Sequence, residues 1–207
     1  MNKNPIKAIF FDLGNVIVGV DPAIAVKGYS VFAGGKEKAL TDYMRYSDNL
    51  SRYQEGKLTS SQFYSKTRRY FKMAIDFNEF YRVWNSMFYP YPEVEKIIRS
   101  IKKTYPDIKM ILLSDTNEAH HTFIKEQYDI LGLLDDHVVS YEVGKQKPHP
   151  DMFKKALKAA GSIPKDTFYT DDRPELTDAA RVMGIRAFQF TGHEQLTEQL
   201  AGCGICV

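Results

Sequence analysis

Asp12, Ser114, Lys147 and the pair Asp171 and Asp172 are the residues of this chain whose types and places invite chemistry. Each stands at or just beyond the end of a short apolar run: IKAIFF before Asp12, MILL before Ser114, HVVS ahead of Lys147 and TFYT before the acid pair. In chain order they offer a nucleophilic carboxylate, a hydroxyl, a fixed positive charge and two adjacent acids. Taken one at a time they have plain structural uses. Asp12 would cap a turn, Ser114 or the acid pair would cap a helix, and Lys147 would sit in solvent. Their recurrence at four successive run ends is harder to explain that way, because the carboxyl edge of an open α/β sheet is where ligands bind.

Such an edge requires a sheet. The sequence predicts five buried strands, at 6–11, 110–113, 137–140, 167–170 and 187–190. They are continuous apolar runs without alternation, separated by helix-like stretches, which is the pattern of a parallel sheet covered on both faces. The predicted class is therefore α/β, doubly wound. Helix signals fall between the runs: Pro92 opens PEVEKIIRSIKK, Asp115 with Glu118 has capping-box spacing, Pro150 precedes DMFKKALKAAG, and Gly161 is a stop.

The strand spacing is uneven. Asp12 and Ser114 are 102 positions apart, whereas a βαβ unit needs about 30. The surplus predicts an inserted unit over 19–91, with the core formed by 1–18 and 92–207. Thr59 with Gln62 and Asp76 with Glu79 are capping-box pairs, and Phe77, Phe80, Tyr81, Trp84 and Phe88 recur at helical spacing, so the insert is expected to be helical and to lack strands. It holds 16 of the 27 aromatic residues, and their periodicity points to the core of a small helical bundle rather than to ligand-stacking rings.

Lys plus Arg number 28 against 26 Asp plus Glu, a net charge of +2, so no whole-chain basic field exists to hold nucleic acid or an anionic membrane. No run approaches the roughly 20 apolar residues of a membrane span, and MNKNPIKAIFF meets Asp12 too soon for a secretory signal. A cytoplasmic, monomeric protein is expected. Cys203 and Cys206 supply half of the usual four zinc ligands and read as a tail.

FFDLGNVIV, ILLSDTN, GKQKPHPDMF and FYTDDRPELTDAARVMGI together resemble the haloacid dehalogenase (HAD) superfamily of hydrolases over nearly the whole chain. The first segment is most similar to the bacterial branch that includes glucose-1-phosphate phosphatases, in which a helical cap separates the first two motifs of a Rossmann-like core. The resemblance implies a phosphatase for a small phosphorylated metabolite, such as a hexose 1-phosphate, with Mg²⁺ as cofactor. Asp12 would attack phosphorus and form an aspartyl-phosphate. Asp12, the Gly14 carbonyl and Asp172 would hold the metal, with Asp171 either beside it or serving Lys147. Ser114, Asp115 and Asn15 would lie at the phosphate, with Lys147 as fixed positive charge.

The chain departs from the pattern at Gly14, where most phosphatases of the superfamily have the Asp that protonates the leaving oxygen. General acid catalysis is worth roughly 10²- to 10⁴-fold. The departure admits a better leaving group, another donor such as Asp21, or a protein that binds a phosphate compound without turnover. Asp21 before Pro22 also reads as a helix N-cap. A 2-haloacid dehalogenase is a further rival, disfavoured by the acid pair. Asp115 stands where relatives often have Asn, and Leu176 likewise. His120, His121 and His149 are expected to have packing or turn roles, and Arg68 and Arg69 to be solvated.

Overall fold

The computed structural model of the chain describes residues 5–207. β1 (Ala8–Phe11) and β2 (Val18–Val20) are followed by five helices, α1 (Pro22–Phe32), α2 (Glu37–Tyr46), α3 (Asp48–Gln54), α4 (Ser60–Phe71) and α5 (Phe77–Asn85), and then by β3 (Phe88–Pro90). The remainder alternates: α6 (Pro92–Thr104), β4 (Lys109–Ser114), α7 (Glu118–Gln127), β5 (Asp136–Val139), α8 (Ser140–Val143), α9 (Pro150–Ala160), β6 (Thr167–Asp171), α10 (Pro174–Val182), β7 (Arg186–Gln189) and α11 (His193–Gly202).

The main sheet has the order β5-β4-β1-β6-β7, and every neighbouring pair in it is parallel. Side chains alternate across it. Ile9, Phe11, Met110, Leu112 and Phe168 join α6, α7 and α11 in one apolar cluster, while Ala8, Phe10, Ile111, Leu113 and Tyr169 join α9 and α10 in another. Burial on both faces is why the runs lack polar alternation. This is the doubly wound α/β architecture expected from the run spacing. The strand order puts β1 in the middle, so Asp12 emerges between the ends of β4 and β6.

Helices α1 to α5 have a third apolar cluster of their own, centred on Tyr29, Tyr53, Phe63, Phe80 and Trp84. Thr59 and Gln62 form a complete capping box at α4, and the Asp76 side chain accepts from the Glu79 N–H at α5. The expected absence of strands between 19 and 91 is corrected, because β2 and β3 pair antiparallel where the helical layer meets the sheet. VGV and FYP are too short to show periodicity, and Gly and Pro disguise them. Gly19 is required there, since the Tyr89 ring occupies the space of any side chain at 19.

The turn after α3 comes down onto the sheet end. Gly56 has φ +67°, and the Tyr141 carbonyl lies where a Cβ would be. Beside it the buried Ser140 hydroxyl donates to the Gln54 carbonyl at 2.6 Å, fastening α3 to the end of β5.

Candidate active site

Lys147 reaches back from the loop after α8 into the sheet end, where its side chain is fully buried. Its ammonium lies 2.6 Å from Asp12 Oδ1, 2.6 Å from Asp171 Oδ2 and 3.0 Å from the Leu113 carbonyl. A buried charge is tolerable only with such partners. Burial opposes the charged form, but Asp12, Tyr169 and Asp171 outweigh it and hold the Lys147 pKa well above its ordinary value. Asp12, also buried, is pushed up to about 7, chiefly by desolvation and further by Asp171, against the pull of Lys147.

The two adjacent acids have different surroundings. Asp171 is fully buried, and its oxygens take Lys147, the Tyr169 hydroxyl and the Arg173 N–H. Burial alone would raise its pKa, yet Lys147 and these hydrogen bonds bring it below the ordinary value. Asp172 is half-buried and faces a cavity of about 260 Å³ with Asp12, Gly14 and Asn15. Its Oδ2 accepts from Asn15 Nδ2 at 3.2 Å, but desolvation and Asp171 still raise its pKa. Asn15 can serve it because the turn places Asn15 at φ 58°, a region that Asn tolerates. Asn15 Oδ1 also accepts from the Val20 N–H at 3.1 Å, which fixes its amide.

One carboxylate oxygen from each of Asp12, Asp171 and Asp172 lies within 4.8 Å of the others. An all-oxygen set with excess negative charge fits a hard divalent cation such as Mg²⁺. Since the protein's own donors already occupy Asp171, Asp12 and Asp172 are the two carboxylates left facing the cavity.

Ser114 borders the same cavity, and its hydroxyl takes no protein partner among the described residues. The Asp115–Glu118 capping box does not form. Asn117, fully buried, caps α7 by accepting from the His120 N–H, and Asp115 accepts instead from the Lys147 N–H at 2.8 Å and from Arg173 Nη2 at 2.9 Å. The Arg173 guanidinium neutralises the carboxylate that would otherwise repel an anion here. Asp21 caps α1, accepting from the Ala23 N–H, and lines neither this cavity nor the one beside it.

His120 and His121 are both buried and have packing roles, with His120 stacked on Trp84 and His121 bonded to His137 and Tyr141. His149 caps α9, Arg68 and Arg69 are exposed, and both cysteines are free. No helix of the described residues is long and apolar enough to cross a membrane.

Three cavity residues carry no sequence signal of their own. Arg173 follows the acid pair but resembles any surface arginine, and Gln54 and Gln146 meet only in space, with Gln146 Nε2 donating to Gln54 Oε1 at 2.9 Å. Alongside lies a second cavity of about 180 Å³, walled by Met44, Leu50, Trp84, Met87 and Phe88 and sharing Gly14, Gln54 and Ser114 with the first.

Comparison with known proteins gives the chain a family and its fold solved counterparts. Over 192 residues the chain is 26% identical to D-ribitol-5-phosphate phosphatase of Bacteroides thetaiotaomicron, covering 89% of this chain and 91% of that one. A HAD family enzyme from the same organism, solved with magnesium and inorganic phosphate, superposes with a TM-score of 0.79 at 21% identity, over 89% of this chain and 93% of the other. L-2-haloacid dehalogenase of Xanthobacter autotrophicus shares the fold, with a TM-score of 0.65 at 17% identity over 95% and 83% of the two chains. The haloacid dehalogenase-like hydrolases match residues 6–184, most of the chain, and it is to this family of hydrolases that the protein belongs.

Proposed function

We propose that the chain is a Mg²⁺-dependent phosphomonoester hydrolase acting on a small phosphorylated metabolite. The observation that carries this reading is the Lys147 ammonium held between Asp12 and Asp171 at the edge of a cavity that Asp172 also faces. Asp12 is the nucleophile: its carboxylate oxygen bonds to phosphorus as the ester oxygen leaves, and water then hydrolyses the aspartyl-phosphate. Ser114 and Arg173 grip phosphoryl oxygens, and Lys147 favours the ionised form of Asp12 and aims it. Asp12, Asp172 and the Gly14 carbonyl are the residues that would hold Mg²⁺. The ion supplies charge that lets one anion approach another.

Residues 19–91 act as a cap over the core formed by 1–18 and 92–207, shielding the site from bulk water. A sugar phosphate suits the resemblance and the relative that acts on D-ribitol 5-phosphate. Because Gly14 cannot protonate a leaving oxygen, a hexose 1-phosphate, whose anomeric oxygen leaves more readily, is the favoured member. Gly14 also supports a second reading, a module that binds a phosphate compound without turnover.

Phosphate release from sugar 1-phosphates, sugar 6-phosphates and p-nitrophenyl phosphate, with Mg²⁺ or with EDTA, separates the two. Mg²⁺-dependent release with preference for 1-phosphates supports the hydrolase. Silence across the panel in folded, Mg²⁺-loaded protein supports the binding module.

A further inference from the structure

Gln54 is the one residue of helices α1 to α5 that borders the cavity around Asp12. It also borders the apolar cavity alongside. If the phosphoryl group occupies the first and its leaving group the second, the ester oxygen joining them lies at the boundary, which Gly14, Val20, Gln54, Ser114 and Asp115 form. Gly14 and Val20 have no side-chain donor. Asp115 is committed to Lys147 and Arg173, and Ser114 is placed by the reading above on the phosphoryl oxygens. Gln54 remains.

Its side chain is held in one sense. Oε1 accepts from Gln146 Nε2 at 2.9 Å, so the amide nitrogen and its two hydrogens point away from Gln146, and among the described residues no protein acceptor takes them. Its main chain is pinned as well, through the 2.6 Å bond from Ser140 Oγ, a side chain with no exposure that also accepts from the Thr116 N–H at 2.9 Å. A polar group fixed at both ends, at the mouth of a site that lacks an acid, is preorganised to meet charge as it develops.

We propose that Gln54 is a catalytic residue whose Nε2–H donates a hydrogen bond to the leaving oxygen, taking the place of the acid that Gly14 lacks. This rests on the phosphatase reading. As the Asp12 oxygen bonds to phosphorus, the phosphorus–oxygen ester bond breaks and its electron pair stays on the leaving oxygen. Gln54 holds that oxyanion until water protonates it. An amide donates a hydrogen bond but no proton, so it helps most where the leaving oxygen is most basic.

The test measures kcat and KM of wild type, Gln54→Leu and Gln54→Glu with Mg²⁺ on p-nitrophenyl, phenyl and benzyl phosphate, which rank in rising leaving-group basicity. Urea unfolding midpoints check that the variants fold. Gln54→Leu is expected to lose kcat by roughly 10²-fold on benzyl phosphate, the worth of one oxyanion donor, with progressively smaller losses on phenyl and p-nitrophenyl phosphate and little change in KM. Gln54→Glu, with an ionisable donor at the same place, is expected to recover benzyl phosphate turnover at acidic pH and lose it as pH rises. Equal losses on all three esters, losses in KM alone, or no loss at all overturn the assignment. A wild type that releases phosphate from none of them overturns the phosphatase reading, and the proposal with it.

Discussion

The Lys147 ammonium stands 2.6 Å from Asp12 Oδ1, and neither side chain has more than a small fraction of its surface exposed. The pair joins residues 135 positions apart in the chain, so it couples the order of the site to the order of the whole sheet edge. On the proposed reading, stability and activity share this one contact.

Lys147→Met leaves Asp12 and Asp171 buried without their cation. Removing one member of a buried pair costs about 3 to 5 kcal/mol, and a loss of that size in urea unfolding, together with loss of turnover, is expected. Mg²⁺ should recover part of the stability, since it binds the folded carboxylates.

Arg173→Ala is expected to weaken inhibition by inorganic phosphate by roughly 10- to 100-fold, the worth of a charge-assisted hydrogen bond. Asp115→Asn, which frees the guanidinium from its 2.9 Å carboxylate partner, should strengthen that inhibition. Product-inhibition kinetics at fixed ionic strength read both.

His120 sets an acid limit on stability. Desolvation, outweighing the Trp84 backbone acceptor, holds its pKa at about 3, against 6.5 when exposed. Well above pH 6.5 neither state is protonated and the histidine has no pH effect. Below 6.5 the unfolded chain takes a proton that the folded protein refuses, so stability falls as pH drops toward 3. Between pH 7 and pH 5 this loss is about 2 kcal/mol. His120→Phe, which keeps the ring beside Trp84, should lose that much less over the same interval in urea titrations.

Much of this site was legible in the sequence because strand ends are legible. The apolar runs before Asp12, Ser114 and Asp171 become β1, β4 and β6, and parallel order brings their ends to one edge. The sequence shows Asp171 and Asp172 as an adjacent pair, but their different surroundings follow from the path of Lys147, which no local pattern encodes. The spacing of Asp115 to Glu118 satisfies the capping motif, while the partner that competes for it, Arg173, is 58 positions away, so the sequence alone points Asp115 to a cap it does not form. Gln54 was invisible, since its polar neighbours come from loops distant in sequence.

Gly14→Asp restores the acid that most phosphatases of the superfamily carry. A Cβ at 14 would stand 3.1 Å from Val20 Cγ2, so the change is paired with Val20→Ala. Turnover of benzyl phosphate is expected to rise by about 10²-fold relative to p-nitrophenyl phosphate, at the lower end of general acid catalysis. A uniform change on both esters would contradict the view that leaving-group departure limits this enzyme.

Phosphate release by wild type and Asp12→Asn, on sugar phosphates and p-nitrophenyl phosphate with Mg²⁺ or EDTA, tests the central claim most directly. Release by the wild type that needs Mg²⁺ and falls by about 10³-fold or more in the variant is predicted, because the covalent route has no other nucleophile at that place. Release that survives in Asp12→Asn, or that is indifferent to EDTA, would contradict it.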